Sequence, residues 1–143
     1  MGKWAGAPFG KGNAQGHLDR DDVRELIEQA FQQMDLEGKR VLTIIPDSTR
    51  TAPIPLFFRL FHQALWGRVA ALDYLGALGT HQPMSDESLH RLVGISALEA
   101  SSTFEGVGLF NHRWDLPGTM TTVGTIPASE IKEISNGRLA QSV

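Results

Sequence analysis

The sequence predicts an α/β fold: βαβ units with a mainly parallel sheet flanked by helices. Three observations predict it. Two short, branched apolar runs, Val41-Leu42-Thr43-Ile44-Ile45 and the stretch over residues 70–78, read as strands buried on both faces, as in a parallel sheet. Helix-period segments precede, separate and follow them. Each apolar run ends in a polar loop rather than in a tight hairpin turn, so the strands are joined by crossovers, which are right-handed.

The elements follow in chain order. Residues 1–18 hold five of the 15 glycines, at 2, 6, 10, 12 and 16, among few branched side chains. Such a segment gains little from burial and loses much entropy on ordering, so a flexible arm is expected there and a folded domain over residues 19–143. Val23, Leu26, Ile27, Ala30, Phe31 and Met34 then fall on one helical stripe. Asp19, Asp21 and Asp22 stand at its N-terminal end, where carboxylates cap free N–H groups and meet the positive end of the dipole. The first strand follows Gly38-Lys39-Arg40 and stops at Pro46. A second helix is expected from Pro55, with Leu56, Phe57, Leu60, Phe61, Ala64 and Leu65 as its apolar face and Gly67 beyond its end. After the second strand, Ser85 caps a third helix with Asp86 and Glu87 in its first turn and Gly94 past its end. Short strands are expected in the C-terminal third, around residues 107–110, 120–125 and 130–134, with Ser135-Asn136-Gly137 as a turn.

Composition narrows the function classes. The chain has 143 residues, 41% hydrophobic and 20% charged, which suits a globular domain rather than a disordered or fibrous chain. Thirteen basic against 16 acidic residues give a net charge of −3, against a nucleic-acid partner. No cysteine is present, which removes thiolate nucleophiles, disulfides and Cys-based zinc sites. No apolar run reaches membrane-spanning length and no signal pattern opens the chain, so a cytoplasmic protein without a membrane partner is expected. Neither GxGxxG nor GxxxxGK[ST] occurs, which argues against a dinucleotide-binding or P-loop domain.

In a parallel sheet, ligands bind beyond the carboxyl ends of the strands. Two polar loops occupy those positions: Asp47-Ser48-Thr49-Arg50 and Gly79-Thr80-His81. On neighbouring strands they would face one crevice, about 5 Å apart. Arginine can grip a carboxylate through two parallel hydrogen bonds, histidine moves protons near neutral pH, and Asp47 can accept hydrogen bonds. The ordinary alternatives are a turn-forming Asp47, a surface Arg50 and a loop His81. Asn111-His112, with Arg113-Trp114-Asp115 after an apolar run, is a further site loop, or else a loop anchored by Trp114. No two histidines have the spacing of a metal site, so no metal is expected to be bound by this chain.

Pro46-Asp47-Ser48-Thr49-Arg50 and Gly79-Thr80-His81-Gln82-Pro83-Met84 resemble the PD-x-TR and GTH-x-PM loops of the nickel-pincer-nucleotide-dependent lactate racemase family. Asn111-His112-Arg113-Trp114-Asp115 and Val123-Gly124-Thr125-Ile126-Pro127 also resemble it, and the likeness runs over about residues 38–138. The resemblance implies racemisation or epimerisation of a small 2-hydroxy acid or sugar acid, with hydride passing to a tethered nickel-carrying pyridinium nucleotide. By motif, His81 is implied as one of two acid/base histidines and Arg50 as the substrate-holding residue. Asp47, Ser48 and Thr49 are implied as cofactor contacts. The family's cofactor-tethering lysine, second catalytic histidine and nickel-ligating histidine lie in downstream segments that this sequence does not contain. The expectation is therefore the N-terminal portion of a longer enzyme whose partner is its own C-terminal domain. Alone it would be inactive and hold no cofactor. The alternative is a stand-alone module that binds a carboxylate or nucleotide without chemistry.

Overall fold

The computed structural model describes residues 9–143; the first eight residues of the expected N-terminal arm lie outside them. The chain forms two compact units, one ending at His112 and one spanning Arg113–Val143. The first carries α1 (Arg20–Gln32), β1 (Arg40–Pro46), α2 (Ile54–Leu65), β2 (Ala71–Ala77), α3 (Asp86–Val93), α4 (Ala97–Ala100) and β3 (Gly108–Asn111). The three strands lie in the order β1-β2-β3, all parallel, with Arg40 beside Ala71 and Asp73 beside Gly108.

The helix signals act as read. Asp19 caps α1, accepting from Asp22 N while Asp22 returns a bond to Asp19 N. The helix ends at Gln32, so Met34, the last residue of the predicted stripe, falls past the helix and stands 42% exposed. Pro55 sits in the first turn of α2, where a missing N–H costs nothing. Ser85 caps α3, and Gly94 closes it at φ 70°, a left-handed conformation that disfavours any side chain. The short α4 has its own capping box between Ser96 and Glu99, a signal the sequence reading passed over.

The core lies between one face of the sheet and the helices. Ile45, Leu72 and Tyr74 meet Phe58 and Leu65 of α2 and Val93 of α3. Phe58 is 1% exposed and touches the rings of Tyr74 and Phe104. A buried phenylalanine of this kind contributes ~3–5 kcal/mol against truncation to alanine.

The expectation of strands buried on both faces does not hold. Leu42 and Ile44 of β1 and Phe110 of β3 are 56%, 66% and 52% exposed. The reason is topological. With strands in the order 1-2-3, both right-handed crossovers step the same way and place their helices on the same face. Burial in β1 therefore alternates, Ile45 inward and Leu42 and Ile44 outward.

The second unit corrects two further strands. Residues 120–125 form no regular structure, and residues 130–134 belong to a helix, α5 (Ala128–Ile134). Pro127 precedes the helix and Glu130, Lys132 and Glu133 are good helix formers. Ile131 and Ile134 lie at i and i+3, which is helical spacing. The predicted turn holds, with Asn136 at φ 51° and Gly137 at φ 82°.

Candidate functional site

The three strands end at the same edge of the sheet, and each delivers one part of the site. Past β1, Asp47 is 6% exposed. Its Oδ1 accepts from Thr49 N at 3.1 Å and from Thr49 Oγ1 at 2.6 Å, a side-chain turn that fixes the loop. Arg50 N closes the same turn on Asp47 O. Past β2, Gly79 takes φ 60° and His81 N returns to Leu78 O at 3.0 Å. This tight turn brings the ring of His81 back over β1, where its Nδ1 hydrogen-bonds Asp47 Oδ2.

The charges of this pair follow from the bonds. The Thr49 hydroxyl, then the His81 ring and the Thr49 amide hold the Asp47 carboxyl down to about 2. Asp47 is therefore an ionised, acceptor-only group near neutral pH. His81 Nδ1 must carry the hydrogen that lies between them, which places the basic lone pair of the neutral ring on Nε2. The side chain of His81 is 55% exposed while that of Asp47 is 8% exposed, so the histidine reaches the solvent side and the aspartate stays beneath it.

Arg50 lines the same open groove of about 450 Å³ with Asp47, Gly79, Thr80 and His81. Among the described residues its guanidinium has neither an ion pair nor a hydrogen bond. Ser48 and Thr49 do not line this groove, and both hydrogen-bonding positions of Thr49 turn to Asp47.

Asn111 and His112 stand past β3. Asn111 Oδ1 accepts from Met84 N at 3.0 Å, and its Nδ2 donates to Met84 O at 2.8 Å. The amide thus clamps the far end of the loop that carries His81. The Met84 side chain lies against Gly76, where a β-carbon would come within 3.1 Å of its Cε. His112 N donates to Gly76 O at 3.0 Å, extending the β2–β3 ladder, and its ring is not part of the groove wall. The sequence reading missed the role of Asn111, since no spacing in the chain announces a contact with Met84.

An aspartate–histidine pair beside an unpaired arginine, at the carboxyl ends of parallel strands, fits the motif order read above. The chain matches the lactate racemase N-terminal domain over residues 20–138. It belongs to that family. A crystal structure of a Thermotoga maritima protein is similar at a TM-score of 0.71 and 28% identity, covering 88% of this chain. The match covers 29% of the Thermotoga chain, so this lactate racemase N-terminal domain spans under a third of that similar protein. No curated protein matches it. Among the described residues no three His, Asp or Glu side chains come together to hold a metal ion. Among the described residues the donor set therefore does not fit a nickel site. No described helix is long and apolar enough to cross a membrane.

Proposed function

We propose that this domain forms one wall of the active site of a 2-hydroxy acid racemase or epimerase. The observation that carries this reading is the Asp47–His81 pair, joined across the ends of β1 and β2 beside Arg50. Arg50 takes the substrate carboxylate in a two-pronged grip, which holds the molecule in place while its α-carbon inverts. The α-hydroxyl of one enantiomer lies toward His81, whose Nε2 removes its proton as the carbonyl forms, or gives a proton back when that enantiomer is the product. Asp47 orients the ring and stabilises its imidazolium form.

Thr49 serves this arrangement by holding Asp47, so its part is positioning rather than cofactor contact. A pyridinium nucleotide of the kind the resemblance implies would supply the acceptor for the α-hydrogen. No metal site for it exists among the described residues, and this domain's part is confined to the carboxylate and the hydroxyl proton. The remaining groups, including a second acid/base on the opposite face, would come from the region of longer relatives that this domain does not span.

The test uses a longer, nickel-loaded protein that carries this domain. His81→Ala should lower racemisation of its hydroxy acid at least about a hundredfold, the usual scale of a lost acid/base. Arg50→Ala should raise KM for the same substrate. Full activity in His81→Ala would sink the assignment. In the 143-residue chain alone, racemisation is expected to be undetectable.

A further inference from the structure

We propose that Gly76 and Met84 act as a socket and its foot, and that their contact sets how far the loop after β2 carries His81. Both are positioning residues for the ring. Gly76 is buried on the core side of β2, in line with Leu72 and Tyr74. Its backbone is ordinary strand, paired with Ile45 on one side and Asn111 on the other, and its φ is not positive. The conformation therefore does not require glycine; the space does. A β-carbon there would stand 3.1 Å from Met84 Cε, inside the ~3.5–4.0 Å at which carbon atoms pack best. Outside its chain neighbours, the one other described atom within 4 Å is Phe110 O at 3.7 Å, an ordinary contact. The room left by the missing side chain is thus taken by one methionine methyl.

The loop between these two residues is held at both ends. At the near end Leu78 is 2% exposed and its carbonyl accepts from His81 N at 3.0 Å. At the far end Asn111 takes both main-chain groups of Met84. Those bonds tie Met84 to β3 and leave its distance from β2 open. The thioether supplies that second coordinate, because its methyl end rests in the Gly76 notch, and an unbranched, polarisable side chain fills such a gap well.

Residues 76 and 84 therefore fix one length between them. Bulk added on the strand lifts the loop, and bulk removed from the foot frees it. Either change is passed to His81, whose ring meets Asp47 at the end of β1. That bond tolerates little displacement, since a hydrogen bond weakens steeply when it is bent. The socket follows from these contacts alone; that the ring it holds moves the hydroxyl proton of a substrate rests on the reading above.

The experiment is nitrogen NMR of the His81 ring, with amide exchange, on the 143-residue chain. Gly76→Ala should move the ring nitrogen signals toward those of a free imidazole and speed exchange of the His81 amide. Met84→Ala should do the same, with exchange about tenfold faster, the scale of a half-buried methionine side chain. Leucine ends one atom short of the methionine methyl, so adding Met84→Leu to Gly76→Ala should return the signals about halfway or more to those of the parent chain. A merely destabilising change would instead speed the Leu72 and Tyr74 amides of β2 as much as that of His81, and the second substitution would add to the loss. Ring signals unmoved by either single change to alanine, or a double variant worse than Gly76→Ala, overturn the proposal. Should Gly76→Ala not fold, Met84→Ala decides alone, since Met84 is half-buried and outside the core cluster. In a longer, cofactor-loaded protein, Gly76→Ala should lower kcat and leave KM nearly unchanged, because Arg50 stands on the other loop, and Met84→Leu should restore part of the loss. Coupled NMR changes with kcat unaffected refute the part given to His81 above and leave the socket standing.

Discussion

Asn111 offers the sharpest perturbation, because its two bonds report on one loop and little else. Its amide makes a two-way contact with the main chain of Met84, at 3.0 Å and 2.8 Å, across 27 residues of sequence. Neutral hydrogen bonds of this kind contribute ~0.5–1.5 kcal/mol each, so Asn111→Ala should free the loop end by about 1–3 kcal/mol. Since ~1.4 kcal/mol is a factor of ten, the Met84 amide should exchange with solvent about ten to a hundred times faster. Its N–H is itself the donor to Asn111, so amide hydrogen exchange reads that bond directly. Amides in the β2 interior should move far less, apart from a small global loss. Asn111→Asp keeps the acceptor for Met84 N but sets a carboxylate against Met84 O, and should be no better than alanine. The nitrogen chemical shifts of the His81 ring should drift toward those of a free imidazole in both variants, because the loop that presents the ring is no longer held at both ends. If Met84 exchange stays unchanged in Asn111→Ala while the melting temperature falls, the clamp is not what orders this loop.

Three further outcomes follow from the same structure. The Asp47 carboxyl is held at about 2 by Thr49 and His81, so its contribution to stability is present above the ordinary carboxylate pKa of ~4 and is lost as pH falls toward 2; Asp47→Asn should flatten that part of an acid denaturation curve and move the His81 ring hydrogen off Nδ1, read by nitrogen NMR. Burial pushes His62 below its usual value, and among the described residues its buried Nε2 has no hydrogen-bond partner. The neutral ring is therefore favoured in the fold, stability declines as pH drops below ~6.5, and His62→Leu should remove that decline in melts run from pH 7 to pH 5. Gly94 stands at φ 70° with a β-carbon position 2.6 Å from Pro55 Cβ, so Gly94→Ala should destabilise by at least about 1–2 kcal/mol from the backbone alone, measured by urea unfolding.

The sequence made much of this legible, and its failures have identifiable causes. Caps and breakers act locally, so Asp19, Ser85 and Gly94 marked helix ends that the structure keeps. The two site loops were legible because a strand ending at Pro46 and another ending near Gly79 leave their polar residues at one sheet edge once the strands pair. What the chain did not announce was strand order. A run such as Val41-Leu42-Thr43-Ile44-Ile45 reads the same whether one or both faces are covered, and only the one-directional order β1-β2-β3 decides that Leu42 and Ile44 stay open. The misread helix at Ala128–Ile134 is a limit of length: in seven residues, two isoleucines fit a strand or a helix turn, and the charged residues between them decide. The contact of Asn111 with Met84 is invisible for a third reason, since it joins segments that meet only after β3 has docked on β2.

That docking order bears on how the site works. Each strand adds one constraint to the same histidine. β1 brings the aspartate that fixes its tautomer, β2 carries the ring on a left-handed glycine turn, and β3 pins the end of the β2 loop through Asn111. Removing any one leaves the other two in place, so the losses should differ in kind. Without Asp47 the ring stays where it is but loses its preference for the Nδ1–H form. Without Asn111 the tautomer partner remains but the ring wanders. On the proposed reading His81 carries the hydroxyl proton, and a proton carrier needs both conditions together. Combining Asp47→Asn with Asn111→Ala should therefore lower activity in a longer, cofactor-loaded protein by less than the product of the single effects, because the two changes degrade the same step through one imidazole. Multiplicative losses would mean that the two residues act independently and that Asn111 serves something other than His81.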